Sequence, residues 1–93
     1  MCGLLGYLGN APEGYIERAL KIQSHRGPDS QGICKVNTEP LVLGHNRLAI
    51  LDLSALGHQP MHSLSTKNII VYNGEIYNFK ELRQDLELTG HQF

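Results

Sequence analysis

Short apolar runs separated by glycine and proline constrain this chain to a small layered fold. The first run, residues 2–8, is rich in glycine and predicts a buried strand. Three more strands are predicted at residues 32–36, 41–46 and 68–72, with an irregular connection over 52–65. Because one helical pattern follows the first strand and another follows the last, the order predicts an α/β (α+β) fold with helices packed against a sheet.

Two segments carry apolar residues at helical spacing. The first helix is expected to begin at Pro12, which fits a first helical turn, with Asn10 as its cap and the Gly-Pro pair at 27–28 as its end. The second is expected to be capped by Asn78 and to stop at Gly90. The apolar stripes consist of Ile16, Ala19 and Leu20 in the first helix and of Phe79, Leu82 and Leu86 in the second.

The composition favours a soluble globular chain. Hydrophobic residues make up 41% and charged residues 18%, and the formal net charge is −1, so neither nucleic acid nor a charged membrane surface is expected as a partner. No apolar run approaches the roughly 20 residues of a membrane-spanning helix, and no basic leader marks a secretory signal. Without an export signal, Cys2 and Cys34 are expected to be free thiols in a cytoplasmic protein.

The predicted sheet is small for a complete domain. A chain of this length buries only about 60–65% of the surface that it exposes when unfolded. The predicted strands alone would leave an open sheet edge and a thinly covered face. We therefore expect residues 1–93 to be part of a larger domain that is incomplete at its C-terminal end.

Cys2 directly follows the initiator methionine. Removal of Met1 would leave a thiol and a free α-amine on one residue. In reference peptides the amine titrates at about 7.7–8.0 and the thiol at about 8.5, so at neutral pH the amine can accept the thiol proton. An N-terminal amine that serves as base for its own side chain is a recognised route to an activated nucleophile. The alternative is a small buried strand residue, a common position for free cysteine.

Five segments follow one another in a specific order. They read MCG at 1–3, HRGPDSQG at 25–32, GHNRLAILDLS at 44–54, HQPM at 58–61 and YNGEIYN at 72–78. Together they resemble the glutaminase domain of the asparagine synthetase family, a class II glutamine amidotransferase. The resemblance implies an N-terminal-nucleophile hydrolase fold of layered helices and antiparallel sheets. It also implies hydrolysis of glutamine to glutamate and ammonia, with the ammonia used in the full-length enzyme to amidate aspartate.

The resemblance assigns roles to individual residues. Cys2 matches the nucleophile, and Asn73 and Gly74 match the oxyanion hole, which would take one donor from a side-chain amide and one from a backbone N–H. Arg47 matches the residue that binds the α-carboxylate of glutamine, a role that suits a planar fork of donors. Glu75 matches a residue near the ligand's amino group. The pocket would also be lined by Leu48, Ile50 and Leu51.

Other parts of the family pattern are expected near this site or outside the chain. The Arg-Gly-Pro-Asp segment at 26–29 is expected to shape a loop near the nucleophile, with Arg26 and Asp29 paired. An acidic residue that holds the glutamine amino group lies beyond residue 93 in the family. The synthetase domain, with its ATP and Mg²⁺, also lies outside this chain, and the parent is expected to be a homodimer. No cofactor is expected in the chain itself.

Three alternatives stay open at this point. A metal site is disfavoured, because Pro60 separates His58 from His62 and no paired cysteine spacing exists. A related class II amidotransferase could use the ammonia on another carboxylate or on a sugar. A non-enzymatic reading is a folded piece that binds a partner through its open sheet edge. On its own, the Asn-Gly pair at 73–74 is also a strong signal for a hairpin turn.

Overall fold

The computed structural model describes residues 2–36, 38–50 and 53–93. Over these residues the protein is a small mixed α/β structure with two antiparallel sheets and two α-helices. The strands are β1 (Gly3–Leu8), β2 (Ser30–Val36), β3 (Leu41–Arg47), β4 (Met61–His62) and β5 (Ile69–Ile70), and the helices are α1 (Tyr15–Ile22) and α2 (Phe79–Leu88). Short 3₁₀ turns occur at Ser24–Arg26 and Ala55–Gly57.

The larger sheet has three strands in the order β1-β3-β2, with β3 in the centre and all pairings antiparallel. Its register places Gly44 of β3 opposite Leu5 on one side and Ile33 on the other. The three predicted strands are therefore confirmed. The prediction that the first strand is buried is wrong, because its residues alternate between covered and exposed, and Leu8 is 76% exposed. Alternation of this kind follows when only one face of a sheet is covered.

Helix α1 covers one face of this sheet. Leu20 is fully buried, and Ile16 is also buried, which makes them the buried apolar side chains among the residues described. Gly44 lets the helix approach, since a Cβ at this position would lie only 3.0 Å from Leu20 Cδ2. A glycine in a central strand here marks a close contact between a helix and a strand.

The start of α1 differs from the prediction. The helix begins at Tyr15 rather than at Pro12, and its N-cap is Gly14 rather than Asn10. Gly14 has a φ of 73°, a left-handed conformation that glycine adopts without steric cost. The Tyr15 N–H bonds to the Pro12 carbonyl, so residues 12–15 form a turn before the helix starts. At the other end, α1 passes into the 3₁₀ turn that ends at Arg26, next to the predicted stop.

The C-terminal part of the chain forms a short hairpin and a helix. Only Ile69–Ile70 of the predicted strand at 68–72 is in a ladder, and its partner Met61–His62 comes from the segment predicted to be irregular. Helix α2 has the predicted bounds, with Asn78 at its N-cap and Gly90 just beyond its end at a φ of 93°. However, the Asn78 side chain makes no capping hydrogen bond. The prediction that the helix packs against the sheet is wrong, because all of its residues are exposed, including the apolar stripe of Phe79, Leu82 and Leu86. None of the described helices is long and apolar enough to cross a membrane.

Gly27 provides a test of how tightly the turn after α1 packs on the sheet. A Cβ on Gly27 would overlap the backbone carbonyl of Asn46 in β3, so Gly27→Ala is expected to lower the free energy of unfolding by about 1–3 kcal/mol. Gly6→Ala is the matched control, because its Cβ would meet only Leu43 Cδ2 at an ordinary 3.9 Å. Urea unfolding of both variants would measure the difference, and equal stabilities would contradict the packing described.

Candidate active site

A cavity of about 200 Å³ lies where the end of β3 meets the segment that follows β5. Seven of the eight site residues predicted from the sequence line it: Cys2, Arg47, Leu48, Ile50, Asn73, Gly74 and Glu75. The eighth, Leu51, lies outside the residues that the structure describes. The fold thus brings together residues from both ends of the chain, while the chemical role of each stays a prediction.

Five residues of the cavity wall were not predicted from the sequence. They are His45, Ala49, Gly57, Gln59 and Tyr72. A signal for four of them was present, because His45, Ala49, Gln59 and Tyr72 lie inside the motifs at 44–54, 58–61 and 72–78. Nothing in those strings shows which way a side chain points. Their place in the cavity became evident only from the fold.

The Cys2 thiol contacts both the backbone N–H and the backbone carbonyl of Leu48. The Leu48 N–H donates to Cys2 Sγ at 3.3 Å, and the thiol donates to the Leu48 carbonyl oxygen at 3.7 Å. The two contacts hold the sulfur beside the Leu48 backbone. The Cys2 carbonyl accepts a bond from Arg26 Nε at 3.4 Å, which fixes the backbone that carries the nucleophile candidate.

The turn at 26–29 holds the segment that contacts the thiol. The Asp29 N–H donates to the Arg47 carbonyl at 2.9 Å, and Asp29 Oδ2 accepts from the Ala49 N–H at 2.7 Å. Asp29 therefore binds backbone groups on both sides of Leu48. The predicted position of this turn near Cys2 is confirmed. The predicted pairing of Arg26 with Asp29 is wrong, because the carboxylate binds a backbone N–H and the guanidinium binds the Cys2 carbonyl.

Arg47 is buried, with 8% of its surface exposed. Its Nη1 donates to the Ser54 carbonyl at 2.5 Å. The guanidinium also lies against Gly57, where a Cβ would come within 2.7 Å of Arg47 Cζ. A buried guanidinium needs polar partners to offset its desolvation. Arg47 also lines the cavity.

The Asn73–Gly74 pair follows a residue whose backbone is held on both sides by side chains. The Tyr72 N–H donates to Gln59 Oε1 at 2.6 Å, and His45 Nε2 contacts the Tyr72 carbonyl at 3.3 Å. The Tyr72 side chain turns back over Gly74, because a Cβ on Gly74 would lie 2.7 Å from the Tyr72 hydroxyl. A larger residue at position 74 would displace the tyrosine from the cavity wall.

His45 is a neutral hydrogen-bond donor in this arrangement. It is 1% exposed, and burial lowers its pKa below the ordinary value of 6.5. The positive electrostatic influence of His58 and Arg47 lowers the pKa further, whereas the bond to the Tyr72 carbonyl opposes these effects. A carbonyl only accepts, so Nε2 carries the proton. The buried Nδ1 has no hydrogen-bond partner in the described part of the chain.

The cavity carries charges of both signs beside the thiol. Arg47 supplies a cation, Glu75 a carboxylate, and Leu48 and Ile50 apolar surface. This set matches a small zwitterion with a polar side chain. The same residues do not fit Mg²⁺ or an ATP triphosphate. Among residues 2–36, 38–50 and 53–93, no three His, Cys, Asp or Glu side chains are grouped as a metal would require.

The whole chain, residues 1–93, matches the family model described as a glutamine amidotransferase domain. It is 41% identical to the putative asparagine synthetase (glutamine-hydrolyzing) 2 of Methanocaldococcus jannaschii, over 95% of this chain and 21% of that protein. It is 38% identical to the asparagine synthetase (glutamine-hydrolyzing) of Asparagus officinalis, over 100% of this chain and 16% of that protein.

A third relative, asparagine synthetase (glutamine-hydrolyzing) 1 of Bacillus subtilis, is 37% identical over 100% of this chain and 15% of its own length. The chain therefore spans 15–21% of the length of these three relatives. No solved structure gives a significant match.

His45 is predicted to make stability fall at acid pH. Above 6.5 the ring is neutral in both the folded and the unfolded state; as the pH falls below 6.5, the unfolded chain takes up a proton that the folded site resists. The free energy of unfolding should therefore drop between about pH 7 and pH 5 more steeply in the wild type than in His45→Gln. Urea unfolding at a series of pH values measures both slopes, and parallel profiles would refute the assignment.

Proposed function

The chain belongs to the glutamine amidotransferase domain family, and on that premise we propose that its cavity hydrolyses the side-chain amide of glutamine with Cys2 as the nucleophile. One observation carries the proposal. A thiol, a guanidinium, a carboxylate and an Asn-Gly pair line a single cavity in a chain of this family. Glutamine presents an α-carboxylate, an α-amine and a carboxamide, which require complementary groups of these kinds.

The nucleophile is activated by its own residue in the proposed mechanism. Once Met1 is removed, the α-amine of Cys2 takes the thiol proton, and the thiolate adds to the amide carbon of glutamine. Return of the proton to the leaving nitrogen releases ammonia and leaves a thioester on Cys2. Water then hydrolyses the thioester to glutamate and restores the thiol. The Leu48 N–H, 3.3 Å from the sulfur, holds the sulfur in place before attack.

The oxyanion that forms during attack is stabilised by Asn73 and Gly74. Both border the cavity. Both are neutral donors, so they stabilise the negative charge that develops on the oxygen in the transition state without adding a charge of their own. A single donor of this type is worth about 3–4 kcal/mol of transition-state stabilisation. The alternative hairpin turn at this Asn-Gly pair is not formed, because the pair lies between β5 and α2 and only Gly74 is at a bend.

Recognition of the amino-acid end of glutamine falls to charged residues. Arg47 binds the α-carboxylate, and Glu75 lies on the side of the α-amine. Leu48 and Ile50 provide apolar surface for the methylenes of the substrate. Opposite charges in one partly enclosed cavity favour a zwitterion over a singly charged ligand, because each charge of the ligand meets its complement.

We further propose that the chain works within a longer enzyme of the N-terminal-nucleophile hydrolase fold. Its relatives are named asparagine synthetases, and they are five to seven times longer than the matched region. In that enzyme the released ammonia would amidate aspartate, with ATP and Mg²⁺ bound outside residues 1–93. A homodimeric parent and a cytoplasmic location stay predictions.

Replacement of Cys2 tests the nucleophile. In the full-length enzyme, Cys2→Ala should lower glutamine hydrolysis by several orders of magnitude while synthesis from added ammonia persists, because only the first step needs the thiol. Cys34→Ala is the matched control at the other free cysteine and should retain both activities.

Equal loss of both activities in Cys2→Ala would contradict the proposed role. Intact-mass analysis gives an independent measure of the same site. A diazoketone analogue of glutamine should add once, on Cys2 that has lost Met1, and excess glutamine should block the addition.

Replacement of Arg47 tests recognition of the α-carboxylate. Arg47→Lys keeps the charge but loses the planar fork, so KM for glutamine should rise about 10- to 100-fold with a smaller change in kcat. Gly57→Ala should act in the same direction, because its new methyl group displaces the guanidinium. Steady-state kinetics separates the two constants. An effect confined to kcat would rule out the carboxylate-binding role.

A further inference from the structure

We propose that Gln59 and His45 are positioning residues, which hold the backbone of Tyr72 from its two sides and thereby set the Asn73–Gly74 donors relative to the thiol. The inference rests on the proposed glutaminase function and extends it to two residues that lie inside the sequence motifs but had no assigned role. Neither Gln59 nor His45 contacts the reacting atoms in this proposal. Each acts through the peptide groups of Tyr72.

The segment that carries the oxyanion donors has little other support. Strand β5 ends at Ile70, and α2 begins at Phe79. Within the described part of the chain, the two bonds to Tyr72 are the only hydrogen bonds that join residues 72–75 to another segment. The Gln59 bond is short, at 2.6 Å, and it satisfies a backbone N–H that has no ladder partner. Side-chain hydrogen bonds therefore hold the backbone of Tyr72, as ladder hydrogen bonds hold the backbone of a strand.

Both of these side chains are anchored in the three-stranded sheet. His45 belongs to the central strand β3, where it lies opposite Leu4 and Gly32. The backbone of Gln59 rests on Gly32, because a Cβ at Gly32 would overlap the Gln59 carbonyl. The preceding residue, His58, contacts Ser30 Oγ through Nδ1 at 3.3 Å.

The same sheet carries the nucleophile candidate. Cys2 directly precedes β1, and β1 pairs with β3 from Gly3 onward. The thiol and the two side chains that hold Tyr72 are thus all positioned by the same three-stranded sheet. Oxyanion donors act only when they are held where charge develops, and a shift of about 1 Å can cost about 10²-fold in rate. The position of Tyr72 is therefore expected to control the rate of the chemical step.

The binding of glutamine should depend less on this support than catalysis does. Its α-carboxylate is assigned to Arg47, which is held by Ser54 and Gly57 rather than by Tyr72, whereas Glu75 lies in the segment that Tyr72 supports. Loss of the Gln59 acceptor should therefore lower kcat by a larger factor than it raises KM. A residue that only stabilised the fold would not produce such a separation.

The test is Gln59→Met in the full-length enzyme, which keeps the length of the side chain and removes the amide acceptor. We expect kcat for glutamine hydrolysis to fall about 10- to 100-fold and KM to rise by a clearly smaller factor. Gln31→Met is the matched control, since Gln31 also accepts a hydrogen bond, from Asn46 Nδ2, but lies outside the cavity. It should leave both constants near the wild-type values.

An aldehyde analogue of glutamine, with –CHO in place of the carboxamide, measures the donors directly. The Cys2 sulfur adds to the aldehyde carbon, the thiol proton passes to the new oxygen, and that oxygen occupies the oxyanion position. Affinity for the aldehyde should fall in Gln59→Met by about the same factor as kcat, whereas inhibition by glutamate, which forms no oxyanion, should weaken by a clearly smaller factor. Unchanged kcat and aldehyde affinity in a folded variant would overturn the proposal, as would a rise in KM alone.

Two further variants keep the test decisive. If Gln59→Met fails to fold, Gln59→Asn retracts the acceptor while keeping the amide, and His45→Gln loosens the other side of Tyr72; both should show the same loss of kcat. Normal rates in both would overturn the proposal. Failure of the proposed function is distinguishable, because the wild-type enzyme itself would then neither hydrolyse glutamine nor bind the aldehyde through Cys2.

Discussion

The register between β1 and β3 is the constraint on which the site depends. Because Gly3 lies opposite Asn46, Cys2 comes to the end of β3 where Arg47 and Leu48 emerge. Side chains alternate along a strand, so Gly44 meets helix α1 while His45 and Arg47 line the cavity on the other face. A slip of one residue would exchange these faces and bury the wrong set. The close fit of Leu20 against Gly44 opposes such a slip.

Much of the site is built from backbone groups rather than from side-chain chemistry. The thiol contacts the N–H and carbonyl of Leu48, and Asp29 holds the peptide groups on either side of that residue. Backbone groups have fixed geometry once the chain is placed, so they give precise donors at no cost in rotamer entropy. The same reliance on backbone groups explains why Gly27 occurs where a methyl group would overlap the backbone of Asn46.

The electrostatics of the cavity follow from burial. Arg47 Nη1 donates to the Ser54 carbonyl, whereas burial, with a smaller contribution from His58 and Arg47, lowers the pKa of His45 and keeps its ring neutral. A neutral imidazole can donate through Nε2 to the Tyr72 carbonyl without adding a charge next to the thiol. Among the described residues that line it, the cavity therefore combines the guanidinium of Arg47 with the carboxylate of Glu75.

The sequence by itself determined the three main strands, the second helix and seven residues that share the cavity, because apolar periodicity and ordered motifs are local signals. It misplaced the start of α1, where the left-handed Gly14 replaced the expected Asn10 cap, and it treated the first strand as buried when only one face is covered. Only the tertiary structure decided the partner of Asp29 and brought His45 and Gln59 to Tyr72. Those contacts join residues 20, 27 and 13 positions apart, and no local pattern encodes which distant segments will meet once the sheet has formed.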